Sequence, residues 1–158
     1  MSTSSSDESS SEELVRRAGS EFAWQGVTRM AYKADGEAPF RDVSRQVLFD
    51  DASLGCQWRY FEVGPGGHST LERHQHVHAV MILRGAGRCL LGDRIHSLAT
   101  HDLVSIPPMT WHQFRADADR PLGFLCLVRQ DRDRPLLPDH AELARLRSDP
   151  AIAAFLDE

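Results

Sequence analysis

From residue 22 to about residue 130 the chain is a succession of short apolar runs, each closed by turn-forming residues. No run is long enough for a substantial buried helix, and the recurring turn signals set a rhythm of short strands. The pattern predicts strands over 22–30, 43–49, 57–63, 78–83, 87–91, 103–106, 112–115 and 122–129. Between them stand Gly64-Pro65-Gly66-Gly67, Arg84-Gly85-Ala86-Gly87, Gly92-Asp93, Pro107-Pro108 and Ala118-Asp119-Arg120-Pro121. Strands at this spacing close into an all-β sandwich or barrel.

The two ends read differently. Residues 1–20 form a disordered or weakly helical tail. Serine and acidic side chains dominate 1–11, and these cannot bury apolar area to offset ordering entropy. Residues 11–17 carry acids first and bases last, as a helix dipole prefers, but are too few to stand alone. Residues 21–131 make the barrel and 132–158 a C-terminal helical extension. Within the extension, residues 139–147 read as one helix after Pro138. Asp149 caps a second, with Pro150 in the first helical position, running to Phe155. Both are expected to pack on the outside of the barrel.

With 158 residues, 41% hydrophobic and 26% charged, the chain suits one domain with a sizeable core. No apolar run approaches the length of a membrane span, and the N-terminus has neither the basic nor the apolar part of a secretory signal. Cys56, Cys89 and Cys126 are odd in number and contain no C-x-x-C. That argues against a disulfide framework and for a reducing, cytoplasmic setting. The net charge is −5, but Asp7, Glu8, Glu12 and Glu13 supply most of it. The remainder is nearly neutral and mixed in sign, without the basic stripe that a nucleic-acid backbone requires.

Chemistry concentrates in the histidines. Of eight, four lie between residues 68 and 78: His68, His74, His76 and His78. His112 follows Pro107-Pro108-Met109-Thr110-Trp111. Neutral imidazole is the commonest transition-metal ligand. Glu72 and His74 are two apart, so a strand would point both to one face. His78 keeps the same parity after a turn at 75–77, and further ligands can arrive from neighbouring strands.

These residues resemble the cupin superfamily. Its first motif, G-x5-H-x-H-x3,4-E-x6-G, is matched in spacing by Gly66, Glu72-Arg73-His74, His78 and Gly85. Its second, G-x5-P-x-G-x2-H-x3-N, is matched at its centre by Pro107 and Trp111-His112. The likeness covers about residues 55–130. Acid and base have exchanged places: Glu72 stands at the family's first His and His78 at its Glu. His101, Met109 and Ala116 replace the two glycines and the Asn of the second motif.

The resemblance implies an all-β jelly-roll (double-stranded β-helix) barrel. It also implies one divalent transition metal per chain, held by Glu72, His74, His78 and His112. Fe(II) is favoured, with Zn, Mn, Ni or Cu as alternatives. A second phasing places His76 among the ligands with His74, His78 and His112. A third reading leaves the imidazoles as satisfied polar groups that bind nothing. Tyr60 and Trp111 are candidates for a substrate pocket, as is Arg59, which with Arg73 could hold a carboxylate. Trp58 and Phe114 belong to the pocket or the core. His68 is expected in a solvated turn, His96 and His101 on the surface, and Cys89 and Cys126 as small buried hydrophobes.

Four ligands leave two positions open on an octahedral ion. The function expected is a metal-dependent enzyme on a small molecule, first a mononuclear dioxygenase acting on a polar or aromatic substrate. The alternatives are a redox-inert zinc cupin serving as isomerase or lyase, or as a module in amino-acid or natural-product N–N bond chemistry, and a non-catalytic ligand binder. A homodimer is expected through residues 22–49, which sedimentation would test. Neither a G-x-S-x-G elbow nor a phosphate-cradling G-x-x-x-x-G-K-[ST] loop is present.

Overall fold

The computed structural model describes residues 14–31 and 41–158. Its strands are β1 (Met30–Ala31), β2 (Arg41–Asp51), β3 (Cys56–His68), β4 (His78–Leu91), β5 (Arg94–Ala99), β6 (Leu103–Ile106), β7 (His112–Ala116) and β8 (Leu122–Arg129). Two helices follow, α1 (His140–Leu146) and α2 (Pro150–Asp157). The strands form a barrel of the expected jelly-roll kind.

Closure depends on two long strands that change partners midway. The first part of β3 lies between β2 and β8, while His68 at its end pairs with Arg115 of β7. β4 pairs with β8 and β6 from His78 to Gly85, then with β7 and β5 from Gly87 to Leu91. The glycine clusters that read as turns are therefore corners within continuous strands. Gly85 has φ +72, and a Cβ there would lie 1.7 Å from the Pro121 carbonyl oxygen. Gly85→Ala is expected to cost about 3 kcal/mol, combining a left-handed backbone with a clash against main chain. A urea melt would show this as a lower midpoint; an unchanged midpoint would contradict it.

The predicted strand over 22–30 is replaced by a strap. Only Met30–Ala31 pairs with β2. Phe22 and Trp24 instead lie on the outside of the barrel against Tyr60, with ring centroids 5.7 and 4.9 Å away. The side chain of buried Gln46 receives the Trp24 N–H and donates to the Phe22 carbonyl. The apolar pattern of 22–24 thus serves a docked segment, with an amide side chain doing what a strand ladder would.

The apolar pattern of the sequence does not predict β5. It forms a tight hairpin with β4 across Gly92-Asp93, and Leu98 is its buried residue. Its remaining residues are largely polar, so strand alternation is hard to see. His96 is exposed on it, and exposed His101 follows in a left-handed turn.

One core fills the barrel, including Val63, Val80, Ile82, Ile106, Leu122 and Val128. A second lies under the C-terminal helices, where Ile152 and Phe155 of α2 meet Leu71 and Leu90. α1 begins with a capping box between Asp139 and Glu142, and α2 with Asp149 as cap before Pro150. Arg115 lies over the Phe155 ring and donates to the Leu156 carbonyl, tying α2 to β7.

Candidate metal centre and cavity

The barrel interior opens into a cavity of about 390 Å³. Residues 69–74 run beside the start of β7, and Glu72 and His112 exchange backbone hydrogen bonds. On the other side, Arg73 pairs with Leu136 in the segment leading to α1. Asp133 of that segment accepts from the Gln75 and His76 backbone N–H groups and contacts the His76 ring. Burial works to raise the Asp133 carboxyl, but these bonds hold it well below the usual range.

His74, His78 and His112 converge here, with one ring nitrogen from each lying within 4.8 Å of the others. Their exposures are 2%, 9% and 3%. The Nδ1 atoms of His74 and His112 face the carbonyls of His76 and Thr110, at 2.8 and 2.9 Å. A carbonyl only accepts, so each Nδ1 carries the proton and each Nε2 keeps its lone pair. His78 Nε2 is buried without a hydrogen-bond partner among the described residues, while its Nδ1 lies 3.2 Å from Cys126 Sγ. Burial, reinforced by neighbouring positive charge, pushes His78 down to about 2. His112 falls to about 4, chiefly through burial. Both are therefore neutral at pH 7, the state in which imidazole binds a metal.

Glu72 Oε1 lies 3.8 Å from His112 Nε2. Burial pushes this carboxyl up to about 7, against the opposing charge of Arg59. A divalent cation would favour its ionised form. The residues present suit such an ion: three inward imidazole donors, one of them buried and unpartnered, and a carboxylate alongside. His76 stacks on His74 with ring centroids 3.6 Å apart, but its Nδ1 is turned to Asp133.

The family model for the cupin domain matches residues 59–128. A Rhodospirillum rubrum protein named 1-methylthio-D-xylulose 5-phosphate methylsulfurylase is 59% identical over 138 residues, 87% of this chain and 88% of its own. The chain belongs to the cupin family.

Solved cupin structures agree. A cupin 2 conserved barrel protein from Rhodopseudomonas palustris is 60% identical with a TM-score of 0.85, covering 89% of this chain and 97% of its own. A cupin-2 domain from Rhodospirillum rubrum is 58% identical with a TM-score of 0.82, over 89% and 95% of the two chains.

Arg59 of this cupin lines the cavity, but Tyr60 and Trp111 do not. Tyr60 alternates to the outer face, where the 22–24 strap covers it and its hydroxyl donates to Glu62. Trp111 packs beneath the C-terminal helices with Arg73 over its ring, 4.4 Å from the centroid. Arg73 also pairs with Glu142, so it serves that junction. His68 is half-buried, its Nδ1 3.0 Å from the Ser69 carbonyl, rather than solvated. Phe114 belongs to both core and cavity wall, and Trp58 faces outward.

Among the cavity residues that sequence reasoning missed are Arg45, Cys126 and Arg132. Cys126 pairs across strands with Arg59 and Val80, and its thiol receives a 3.5 Å contact from Arg59 Nη2. Alternation along 122–129 sets Cys126 on one face with Phe124 and Val128, so the inward face was readable once β8 was placed.

Proposed function

We propose that this cupin is a metal-dependent enzyme that removes the methylthio group from C1 of a 1-methylthio-ketopentose 5-phosphate. One observation carries the reading. A thiol, Cys126, stands in the same cavity as the three converging imidazoles and touches one of them. It does so in a chain 59% identical to a protein named for methylsulfur transfer from such a sugar.

Glu72, His74, His78 and His112 are the proposed ligands of one divalent ion. When bound, that ion supplies Lewis acidity toward the C2 carbonyl of the sugar. Cys126 is the proposed acceptor of the methylthio group. An S–S bond forms between Cys126 and the methylthio sulfur as the C1–S bond breaks. The C1–S electron pair passes to the carbon beside the ketone, where the carbonyl delocalises it, and the proton given up by the Cys126 thiol completes the 1-deoxy sugar. An external thiol then removes the methylthio group as a mixed disulfide and regenerates Cys126. Arg59 and His78 position the sulfur.

This sequence requires no change in the metal's oxidation state. It therefore favours the redox-inert alternative over the dioxygenase expected first. The test supplies metal-loaded protein with 1-methylthio-D-xylulose 5-phosphate and excess small thiol, following the sugar by NMR. Loss of the S-methyl resonance with appearance of a C1 methyl is expected, equally under nitrogen and in air. Unchanged substrate with metal-replete protein, or a strict need for oxygen, would overturn the proposal.

A further inference from the structure

The cavity's cationic side is unaccounted for by a carbonyl ligand or a sulfur acceptor. Arg45 on β2 and Arg59 on β3 both face inward. Arg45 pairs with Phe61 and Arg59 with Val47, so the two arginines are diagonal neighbours on one face. Arg132, just beyond β8, joins them in the cavity lining. Its Nη1 donates to the Arg129 and Gln130 carbonyls and its Nη2 to Gln57 Oε1, all neutral acceptors.

Near Arg59 and Arg132 the described carboxylates are engaged elsewhere, and Glu72, which feels the charge of Arg59, lies against His112. Both Asp133 oxygens are taken by residues 75 and 76, and Asp50 receives the Gln57 and Gln130 side-chain amides. The described ion pairs include neither Arg59 nor Arg132. Arg59 Nε and Thr70 Oγ1, both on cavity-lining residues, are buried without hydrogen-bond partners among the described residues. Burial, then the charges of Arg59 and Arg45, disfavours the cationic form of Arg132. Like charges gathered in a partly desolvated wall repel unless an anion joins them.

We infer that Arg45, Arg59 and Arg132, with the Thr70 hydroxyl, form the subsite that holds a phosphomonoester group of the substrate. Guanidinium forks suit phosphate oxygens, and a dianion accepts from several at once. The identity of the sugar rests on the proposed function; the anion subsite has its own readout. It also selects among substrates, because the dephosphorylated sugar would leave these donors unmet.

The experiment uses the full chain, metal-loaded, in calorimetric titrations with D-xylulose 5-phosphate, D-xylulose and inorganic phosphate at fixed ionic strength. The variants are Arg45→Gln and Arg132→Gln, each checked for unchanged circular dichroism and metal content. The ester is expected to bind at least about a hundredfold more tightly than the free sugar, through several charged hydrogen bonds. Each variant should weaken the ester about tenfold or more and leave the free sugar unchanged. In turnover the loss should fall on KM for the phosphorylated substrate.

Equal weakening of ester and free sugar would overturn the subsite, as would wild-type binding of the ester no tighter than the sugar. Methylthio release with variants indifferent to the phosphate removes the subsite and keeps the proposed function. Arginine-dependent ester binding without methylthio release keeps the subsite and removes that function.

Discussion

His112→Ala is expected to strip the bound metal. Elemental analysis of the wild-type chain, purified without a histidine tag, should give about one divalent transition metal per chain. The variant should retain less than about a tenth of that after dialysis. The side chain is 3% exposed, and its Nδ1 contact with the Thr110 carbonyl orients Nε2 toward the partners from His74 and His78. Alanine removes the donor and leaves a hole too near polar atoms to stay dry. Because a metal that binds only the folded state stabilises it, added metal should raise the wild-type Tm and leave that of the variant unmoved. Full metal occupancy in His112→Ala would dismiss it as a ligand. The same preparation separates the two ligand phasings. Glu72→Gln should weaken binding if the carboxylate belongs to the set, whereas His76→Ala should weaken it if the all-imidazole set is the true one.

Cys126→Ala should abolish methylthio release while keeping the metal. Removing an acceptor that forms a covalent bond is expected to lower kcat by about a thousandfold or more. The fold should survive, since loss of one small buried side chain costs only about 1–2 kcal/mol. A direct measurement accompanies the kinetics. Wild-type protein incubated with substrate but no external thiol should gain, in its intact mass, one methylthio group in place of hydrogen. Peptide mapping should locate it at Cys126, and a reducing thiol should remove it. Normal turnover in Cys126→Ala would eliminate the residue as acceptor, and an adduct on Cys56 or Cys89 would move the chemistry elsewhere.

Much of the fold was legible because its strands carry local signals. Residues 43–49 are rich in apolar side chains and 57–63 in aromatic ones closed by a Gly-Pro turn, and Asp149-Pro150 marks the start of α2 with both cap and fixed backbone. Turn chemistry misled where a glycine serves a corner: Gly85 and Gly87 read as a break, yet β4 passes through them while exchanging β8 for β7. The histidine cluster at 68–78 stood out in the sequence, and the resemblance to the cupin motifs added His112 to it. The aromatic candidates were not legible, because alternation along β3 puts Tyr60 on the outer face, where it is buried by the 22–24 strap and not by the cavity. Arg45 and Arg132 were invisible for another reason. They are far apart in sequence and come together only when β2 and the end of β8 flank β3. Arginine spacing along the chain carries no trace of that.

The segment joining β8 to α1 has a consequence for how such barrels diverge. It carries Arg132 and Asp133, and it is held in place by the Arg73–Leu136 pairing and by the Arg73–Glu142 bond to α1. Both Arg132 and Arg45 fall outside residues 59–128, the stretch matched by the family model, whereas the three imidazoles and Cys126 fall inside it. Two members of the proposed phosphate subsite are thus carried on the flanks, while Arg59 and Thr70 lie within the matched stretch. A barrel of this kind can exchange its flanking pieces for others and meet a new molecule so long as the replacement still holds residues 75 and 76 beside His74, as Asp133 does, and its helices still dock.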